Sequence, residues 1–109
     1  MQFPKNNTSN KNVPKPIGPY SPIITYNNII FTSGQIPIDP KTSILVKGNF
    51  KTRVQQVLIN IKFLLEEDNS SLDNILKTTV FLTDLSRFEE LNDVFKKTFN
   101  ENRPARSVV

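Results

Sequence analysis

The chain has 109 residues, of which 37% are apolar and 22% are charged, and its formal net charge is +4. This composition describes one small globular domain, and no apolar run approaches the roughly 18 residues that a membrane span needs. Cysteine and histidine are both absent, which excludes disulfides, thiol nucleophiles, imidazole bases and the common zinc sites. We therefore expect neither a membrane protein nor a metal site.

The start of the chain predicts a separate arm. Residues 1–12 are rich in Asn and are expected to be disordered, whereas residues 13–109 are expected to form a single domain. Lys5, Lys11 and Lys15 carry much of the excess positive charge. No aromatic residues alternate with these lysines, so a flexible arm explains the charge better than an RNA-binding surface. Nucleic acid is thus disfavoured as a partner, and this alternative stays open.

The same arm bears on where the protein resides. It lacks the apolar core of a secretory signal, which makes the cytoplasm the expected location. No acidic residue precedes Asp39, and a scarcity of acidic residues is typical of organellar transit peptides. Organellar targeting by the arm therefore stays open.

Four prolines, at positions 14, 16, 19 and 22, stiffen the segment that follows the arm. Proline fixes its own φ angle and restricts the residue before it, so this strap is expected to be extended or turning and to present one aromatic side chain, Tyr20. Two interpretations of Tyr20 stay open: its ring packs on the edge of the core, or it faces a ligand.

Two β-rich runs, 23–26 and 29–32, are separated by Asn27 and Asn28, which tolerate the positive φ of a tight turn, and predict a β-hairpin. Ser33 and Gly34 follow directly. A glycine in such a run marks a bulge or the close approach of a ligand or another backbone. Farther on, a turn is expected at 39–42 and a short strand at 44–46.

Helical periodicity predicts two helices. The first spans about residues 51–67 behind a cap at Asn49 or Thr52. The second spans about 87–100, opened by a capping box of Ser86 and Glu89. Their apolar stripes are Val54, Val57, Leu58, Ile61, Leu64 and Leu65 in the first helix, and Phe88, Leu91, Phe95 and Phe99 in the second.

Between the helices, Ser70 and Asp73 have the spacing of a capping box for a single turn through Ile75. Residues 77–82 are β-branched and aromatic, which predicts a central strand partly covered on both faces. A last strand is expected at 105–109. The resulting order is typical of an α+β layer with both helices on one face of a sheet. Its edge stays unpaired unless another chain or a further segment supplies a strand.

Two polar residues stand out in this framework. Arg106 follows Pro104 at the start of the last strand, and its forked guanidinium can bind a small carboxylate through two parallel hydrogen bonds, unless it is only a solvated surface residue. Asn92 lies within the apolar stripe of the second helix and points toward the sheet. Its amide needs partners there, either a loop carbonyl or a ligand.

Five short stretches, in the same order and at similar spacing, resemble the RidA family of reactive-intermediate deaminases, also called the YjgF or L-PSP family. They are residues 17–21 (IGPYS), 32–37 (TSGQIP), 77–82 (KTTVFL), 88–92 (FEELN) and 104–107 (PARS). The resemblance implies a chorismate-mutase-like fold assembled as a homotrimer, with ligand clefts between subunits.

The resemblance also implies a reaction and its residues. Family members hydrolyse the enamine or imine acids released by pyridoxal-phosphate dehydratases to 2-keto acids and ammonia, and they need no cofactor. Arg106 matches the arginine that binds the substrate carboxylate. The residues that match others in or beside the cleft are Tyr20, Ser33, Gly34, Asn92 and Ser107.

Two departures from the family pattern affect this expectation. Val108 stands where many members carry cysteine, so only its backbone amide could bind the carboxylate. Family chains also continue through two further strands, which bear a glutamate thought to position the attacking water. Relative to the family pattern, residues 1–109 are therefore expected to be truncated. They contain the arginine that binds the substrate carboxylate but lack the glutamate that positions water, which puts their catalysis in doubt.

Three functions therefore compete. The first is a deaminase acting on 2-iminopropanoate and 2-iminobutanoate, with Arg106 as the clamp. The second is RNA cleavage or translation inhibition, which the older family names imply. The third is a non-catalytic trimer that binds small molecules or acts like a chaperone.

Overall fold

A computed structural model describes residues 10–109. The strands are β1 (Ile23–Tyr26), β2 (Ile29–Thr32), β3 (Ile38–Asp39), β4 (Ile44–Leu45), β5 (Lys77–Val80) and β6 (Ala105–Val108), and the helices are α1 (Phe50–Glu67) and α2 (Phe88–Thr98). β1 pairs with β2 and β3 with β4 in antiparallel fashion, whereas β5 and β6 are parallel. The strands thus form three two-stranded sheets. The two helices pack with them, so the predicted α+β fold is confirmed.

Two expectations concern the ends and surface of the domain. The predicted disordered arm falls largely on residues 1–9, which lie outside the described range, and it stays a prediction. Neither helix in residues 10–109 is long and apolar enough to cross a membrane.

The predicted hairpin is confirmed. β1 and β2 pair in register from Ile23 opposite Thr32 to Tyr26 opposite Ile29. Asn27 and Asn28 between them have φ angles of 50° and 63°. Two consecutive left-handed residues are what a type I′ turn requires, and asparagine adopts that conformation more readily than most residues.

Helix α1 begins one residue earlier than predicted, behind Asn49. The Oδ1 atom of Asn49 accepts hydrogen bonds from the Thr52 backbone N–H at 2.9 Å and from the Thr52 hydroxyl at 3.0 Å. Of the two predicted caps, Asn49 is therefore the one that the structure uses. The predicted apolar stripe faces inward, because Leu58, Leu64 and Leu65 are buried.

The predicted capping box of α2 is wrong. The helix begins at Phe88, directly after a 3₁₀ turn over Leu85–Arg87 that is capped by Asp84. Asp84 accepts hydrogen bonds from the Ser86 hydroxyl at 2.7 Å and the Ser86 backbone N–H at 3.0 Å, which lower the pKa of this carboxyl. Ser86 lies inside the turn that Asp84 caps, and Arg87 is the residue directly before α2. Ser86 therefore does not occupy the N-cap position that the expected box with Glu89 requires.

The segment between the helices also differs from the prediction. The expected turn is present over Leu72–Asn74, but the residue at its start is Ser71, whose side chain makes no capping hydrogen bond. The box between Ser70 and Asp73 is therefore wrong. The short hydrogen-bonded turn closes through backbone contacts, including the Ile75 N–H to the Leu72 carbonyl at 3.2 Å.

Strand β5 is shorter and less covered than predicted. It ends at Val80, and exposed residues alternate with half-buried ones along it. One face is therefore covered, not two. In the described part of the chain β5 pairs with β6 alone. Within these residues β5 is therefore an edge strand and not the central strand that was expected.

The core lies between the two helices and the segments that join them. Leu58 of α1, Val94 of α2 and Phe99 form its buried cluster. The partly buried side chains packed against it are Val54, Ile61, Leu72, Ile75 and Phe95. Val94, which lies beside the predicted stripe of α2, completes a broader apolar face than the sequence pattern indicated.

One polar side chain, Asn60 of α1, is fully buried among the described residues. Its Nδ2 atom donates to the carbonyls of Ile38 at 2.9 Å and Ile36 at 3.3 Å, and its Oδ1 atom accepts from the Gln56 side chain at 2.8 Å. A buried amide without partners would be costly, and these bonds satisfy it. They tie the centre of α1 to the segment that leads from β2 into β3.

We expect Asn60→Leu to lower the free energy of unfolding by about 1–3 kcal/mol, because it leaves the carbonyls of Ile36 and Ile38 without their donor. Urea unfolding measures this change. Gln55→Leu, on the exposed side of the same helix, is the matched control and should stay within about 0.5 kcal/mol of the unchanged protein. Equal stability of the two variants would contradict the structural role of Asn60.

Candidate functional site

Arg106 lies on β6, in the strand pair that α2 covers. β5 and β6 are in parallel register with Thr78 opposite Arg106. Along β6, Arg106 and Val108 are half-buried, whereas Ala105 and Ser107 are exposed. Because side chains alternate across a strand, Arg106 points to the covered side of the sheet. The alternative that it is only a solvated surface residue is therefore wrong.

Asn92 is the hydrogen-bond partner of Arg106. The Nη2 group of Arg106 donates to Asn92 Oδ1 at 2.7 Å, a short distance typical of a charge-assisted hydrogen bond. Asn92 thus reaches the sheet, as its place in the stripe predicted. The amide oxygen of Asn92 binds the guanidinium of Arg106. This partner is neither the loop carbonyl nor the ligand that the sequence suggested.

Two aromatic rings of α2 complete the surroundings of Arg106. The guanidinium carbon lies 5.4 Å from the ring centroid of Phe88 and 5.0 Å from that of Phe95. Both distances are within the range of cation–π attraction. The sequence analysis treated these phenylalanines as core residues only. Their spacing from Asn92, four residues before and three after, was the signal that all three share one face of the helix.

The hydrogen bond to Asn92 leaves donors of Arg106 available. A guanidinium carries five N–H donors, and Nη2 contributes one of its two to each of the forks that can bind a carboxylate. Asn92 therefore occupies only one fork and leaves the other complete. Among residues 10–109 no carboxylate lies within 4.0 Å of this guanidinium, so it keeps its positive charge for an anionic ligand.

Ser107 and Val108 occupy different positions relative to Arg106. The Ser107 side chain is on the exposed face, where its hydroxyl accepts a hydrogen bond from Lys77 Nζ at 2.7 Å. It is therefore not grouped with the guanidinium. The backbone N–H groups of Ala105 and Val109 donate to the carbonyls of Leu76, directly before β5, and of Val80 in β5. By the alternation of a strand the N–H of Val108 points to the opposite edge.

Tyr20, Ser33 and Gly34 form a second group, where the strap meets the segment after β2. The Ser33 hydroxyl donates to the Ser21 carbonyl at 2.6 Å, and its N–H donates to the Pro22 carbonyl at 2.9 Å. The Tyr20 hydroxyl accepts from the Ile17 N–H at 3.3 Å. These bonds show that Ser33 and Tyr20 are used within the chain to hold the strap in place.

Tyr20 and Gly34 line the same shallow cleft, together with apolar residues of the strap and of β3. Its free space is about 30 Å³, enough for one or two waters. The glycine position is open, since a Cβ atom added at Gly34 would meet nothing within 4 Å. A single chain therefore presents this cleft as an open wall and not as an enclosed pocket.

The two groups do not contact each other in the described structure. The contacts of Arg106 run to Asn92, Phe88 and Phe95, and none of these residues lines the cleft beside Tyr20. The family resemblance implied a single cleft for all four residues. In one chain Arg106 instead contacts Asn92, whereas Tyr20 lines a cleft with Gly34. Within one chain the two pairs remain apart.

A larger recess of about 460 Å³ lies elsewhere, between the start of α1 and the start of α2. It contains none of the predicted site residues. Arg87 on its wall is already paired with Glu90 at 2.8 Å, and Asp84 with Ser86. Within residues 10–109 no cluster of acidic side chains could hold a metal ion. The chemistry therefore centres on Arg106.

Comparisons with known proteins identify the family of this chain. The family model described as Endoribonuclease L-PSP matches residues 10–109. RutC family protein PH0854 of Pyrococcus horikoshii is 50% identical over 99 residues, which cover 91% of this chain and 79% of the relative. Protein HMF1 of Saccharomyces cerevisiae is 44% identical over 99 residues, which cover 91% and 76%.

Solved structures give the same result. Yeast Mmf1 superimposes with a TM-score of 0.90 at 41% identity, covering 99% of this chain and 84% of that one. RidA from an Antarctic Psychrobacter superimposes with a TM-score of 0.87 at 40% identity, covering 93% and 81%. This chain belongs to the L-PSP endoribonuclease family, with relatives that are named RutC and RidA.

Proposed function

We propose that this protein is a 2-iminobutanoate/2-iminopropanoate deaminase, which hydrolyses small enamine and imine acids to 2-keto acids and ammonia. The observation that carries the proposal is Arg106, a half-buried guanidinium oriented by Asn92 and without an acidic neighbour in the described chain. Such a group suits a small carboxylate ligand. The family resemblance implies the same chemistry.

The reaction follows from where the carboxylate is held. Water adds to C2 of the protonated imine, which forms a C–O bond and moves the C=N electron pair onto nitrogen. A proton then moves from the added oxygen to nitrogen, and the C–N bond breaks with its electron pair leaving on ammonia. The remaining hydroxyl proton passes to ammonia or solvent as the keto group forms, so one water is consumed for each imine. C2 is bonded to the carboxylate carbon, and fixing the carboxylate on Arg106 therefore fixes where water attacks.

The backbone of β6 supports the same binding mode. The N–H of Val108 faces the edge of the strand pair, where the described chain supplies no further strand. A carboxylate on the free fork of Arg106 could also accept from this amide. This is the contact that remains available at a position where many family members carry cysteine.

We also propose that the protein is a homotrimer whose clefts lie between subunits. The face of the hairpin turned away from the helices carries Tyr26, Ile29 and Phe31, all exposed. The opposite face is tied to the helical side by the hydrogen bond from Thr25 to Asp68. An apolar surface of this kind is typical of a contact with another chain. In a trimer, Tyr20 and Gly34 of one subunit would complete the Arg106 site of the next.

RNA cleavage is the second candidate function, because the matching family model is described as Endoribonuclease L-PSP. Against it, the chain has no histidine, and in the described residues 10–109 no carboxylate lies within 4.0 Å of Arg106 to act as an acid–base partner. A cleavage assay on single-stranded RNA separates the two functions. The deaminase proposal requires that RNA remain intact while imine is hydrolysed.

For location we propose the cytoplasm, with organellar import as the alternative. One relative, 44% identical over 101 residues, is named as the mitochondrial protein MMF1. Cell fractionation of the full-length protein decides between the two locations.

We expect Arg106→Lys to reduce imine hydrolysis severely and leave the fold intact, because lysine keeps the charge but loses the fork. Arg106→Ala should weaken binding of a 2-keto acid by about 1.5–3 kcal/mol. A coupled assay, in which a dehydratase generates 2-aminoacrylate or 2-aminocrotonate, measures the hydrolysis.

Arg103→Lys is the matched control, since Arg103 lies three residues earlier and is exposed. It should behave like the unchanged protein. If full-length protein gives no acceleration, or if Arg106→Lys matches the control, the deaminase proposal fails and a non-catalytic binding trimer replaces it.

We expect light scattering of the full-length protein to give about three times the mass of one chain. Phe31→Lys should shift the protein to monomer, because it places a charge on the apolar hairpin face. Ile59→Lys on the exposed side of α1 is the control and should stay trimeric. A monomeric unchanged protein, or a trimer that Phe31→Lys leaves intact, argues against this interface.

A further inference from the structure

We infer that Phe88 and Phe95 are positioning residues, which hold the Arg106 guanidinium in the orientation that receives a carboxylate. The inference rests on the proposed function, because the carboxylate is the substrate group assigned to Arg106 there. The two rings act through Arg106 and need no contact with the substrate. They extend the site from a single arginine to a guanidinium clamped by one face of α2.

The geometry of α2 supports a clamp. Phe88 and Phe95 are seven residues apart, about 10 Å along the helix at 1.5 Å per residue. Their ring centroids lie 5.4 Å and 5.0 Å from the guanidinium carbon. The guanidinium therefore contacts two rings that are about two helical turns apart on one face of α2. Asn92, which lies between them in the helix, fixes its rotation through the 2.7 Å hydrogen bond.

Aromatic partners differ from a carboxylate in what they leave free. A ring face attracts a cation through its quadrupole, which stabilises the charge of Arg106. A carboxylate in the same place would occupy a fork of N–H donors and cancel the charge. The two rings therefore hold the guanidinium in place. Its remaining N–H donors stay free, and its positive charge still attracts an anion.

Holding the side chain in advance also favours binding. A long, free arginine loses rotamer freedom when it closes on a ligand, whereas one already ordered by the fold has lost that freedom beforehand. We therefore expect removal of a ring to weaken carboxylate binding even though every N–H donor remains. In the deaminase assay the loss should appear mainly in KM.

Phe88 is the better of the two positions to test. Its side chain is 42% exposed, so a substitution there disturbs little of the core. The ring centroid of Phe95 lies 5.3 Å from that of the buried Phe99. Replacing Phe95 would therefore change the stability of the core as well as the position of Arg106. Phe88→Leu removes the ring and keeps apolar volume, whereas Phe88→Tyr keeps a ring.

A matched control exists on the same protein. The ring of Phe50 lies 6.0 Å from the guanidinium carbon of Arg87, an arginine that the proposal does not use. Phe50→Leu therefore removes a ring beside another arginine. It should leave pyruvate binding and the Arg106 signal unchanged.

The experiment combines two readouts on full-length protein. Calorimetry measures pyruvate binding, and nitrogen–proton NMR observes the Arg106 Nε–H, assigned by its loss in Arg106→Lys. Phe88→Leu should shift the Arg106 signal toward those of exposed arginines, because the ring current is removed, and should weaken pyruvate binding about 5- to 20-fold. Phe88→Tyr should restore both within about twofold.

The outcomes separate the inference from the proposed function. If the unchanged protein neither binds pyruvate nor hydrolyses imines, the proposed function fails, and the NMR signal alone decides whether the rings hold Arg106. An Arg106 signal that does not move in Phe88→Leu overturns the inference. So does a Phe88→Tyr variant that binds pyruvate as weakly as Phe88→Leu.

Discussion

The partial burial of the Arg106 charge is the constraint around which the candidate site is built. A cation removed from water needs compensating contacts, and proteins commonly supply a carboxylate. Here the contacts are the amide oxygen of Asn92 and the faces of two aromatic rings. These partners stabilise the cation without neutralising it. The parallel pairing of β5 with β6 beneath α2 brings the strand residue to all three helical side chains.

The second group of residues is held by a different set of contacts. Ser33 binds the strap through the Ser21 carbonyl, and Asn60 holds the carbonyls of Ile36 and Ile38 from the interior. The wall that carries Gly34 is therefore fixed by the fold of a single chain. Because this wall and Arg106 remain apart within that chain, the proposed site needs a neighbouring copy to bring them together.

Much of this arrangement could be predicted from local sequence patterns. Hydrophobic periodicity located both helices, and the Asn-Asn pair identified the hairpin, because each signal depends on residues adjacent in the chain. Asn92 was expected to face the sheet for the same reason. The cap at Asp84 was missed because Ser86 and Glu89 have the spacing of a capping box, and a spacing rule does not show that Ser86 lies inside the preceding turn.

The remaining features depend on contacts between distant segments. Phe88 and Phe95 looked like ordinary core residues, and only the position of β6 under α2 gives their rings a cation to contact. The place of Ser107 was within reach of the sequence, since neighbouring residues of a strand point to opposite faces. The family resemblance grouped it with Arg106, and the structure separates their side chains. The distance between the two halves of the site follows from tertiary packing and had no local signal.

The most direct measurement is a crystal structure of the full-length protein with 2-ketobutyrate bound. We expect both carboxylate oxygens to accept hydrogen bonds from Arg106 at about 2.7–2.9 Å, with the guanidinium still in contact with the rings of Phe88 and Phe95. A keto acid bound away from Arg106, or an Arg106 paired with a carboxylate of a neighbouring chain, would contradict it.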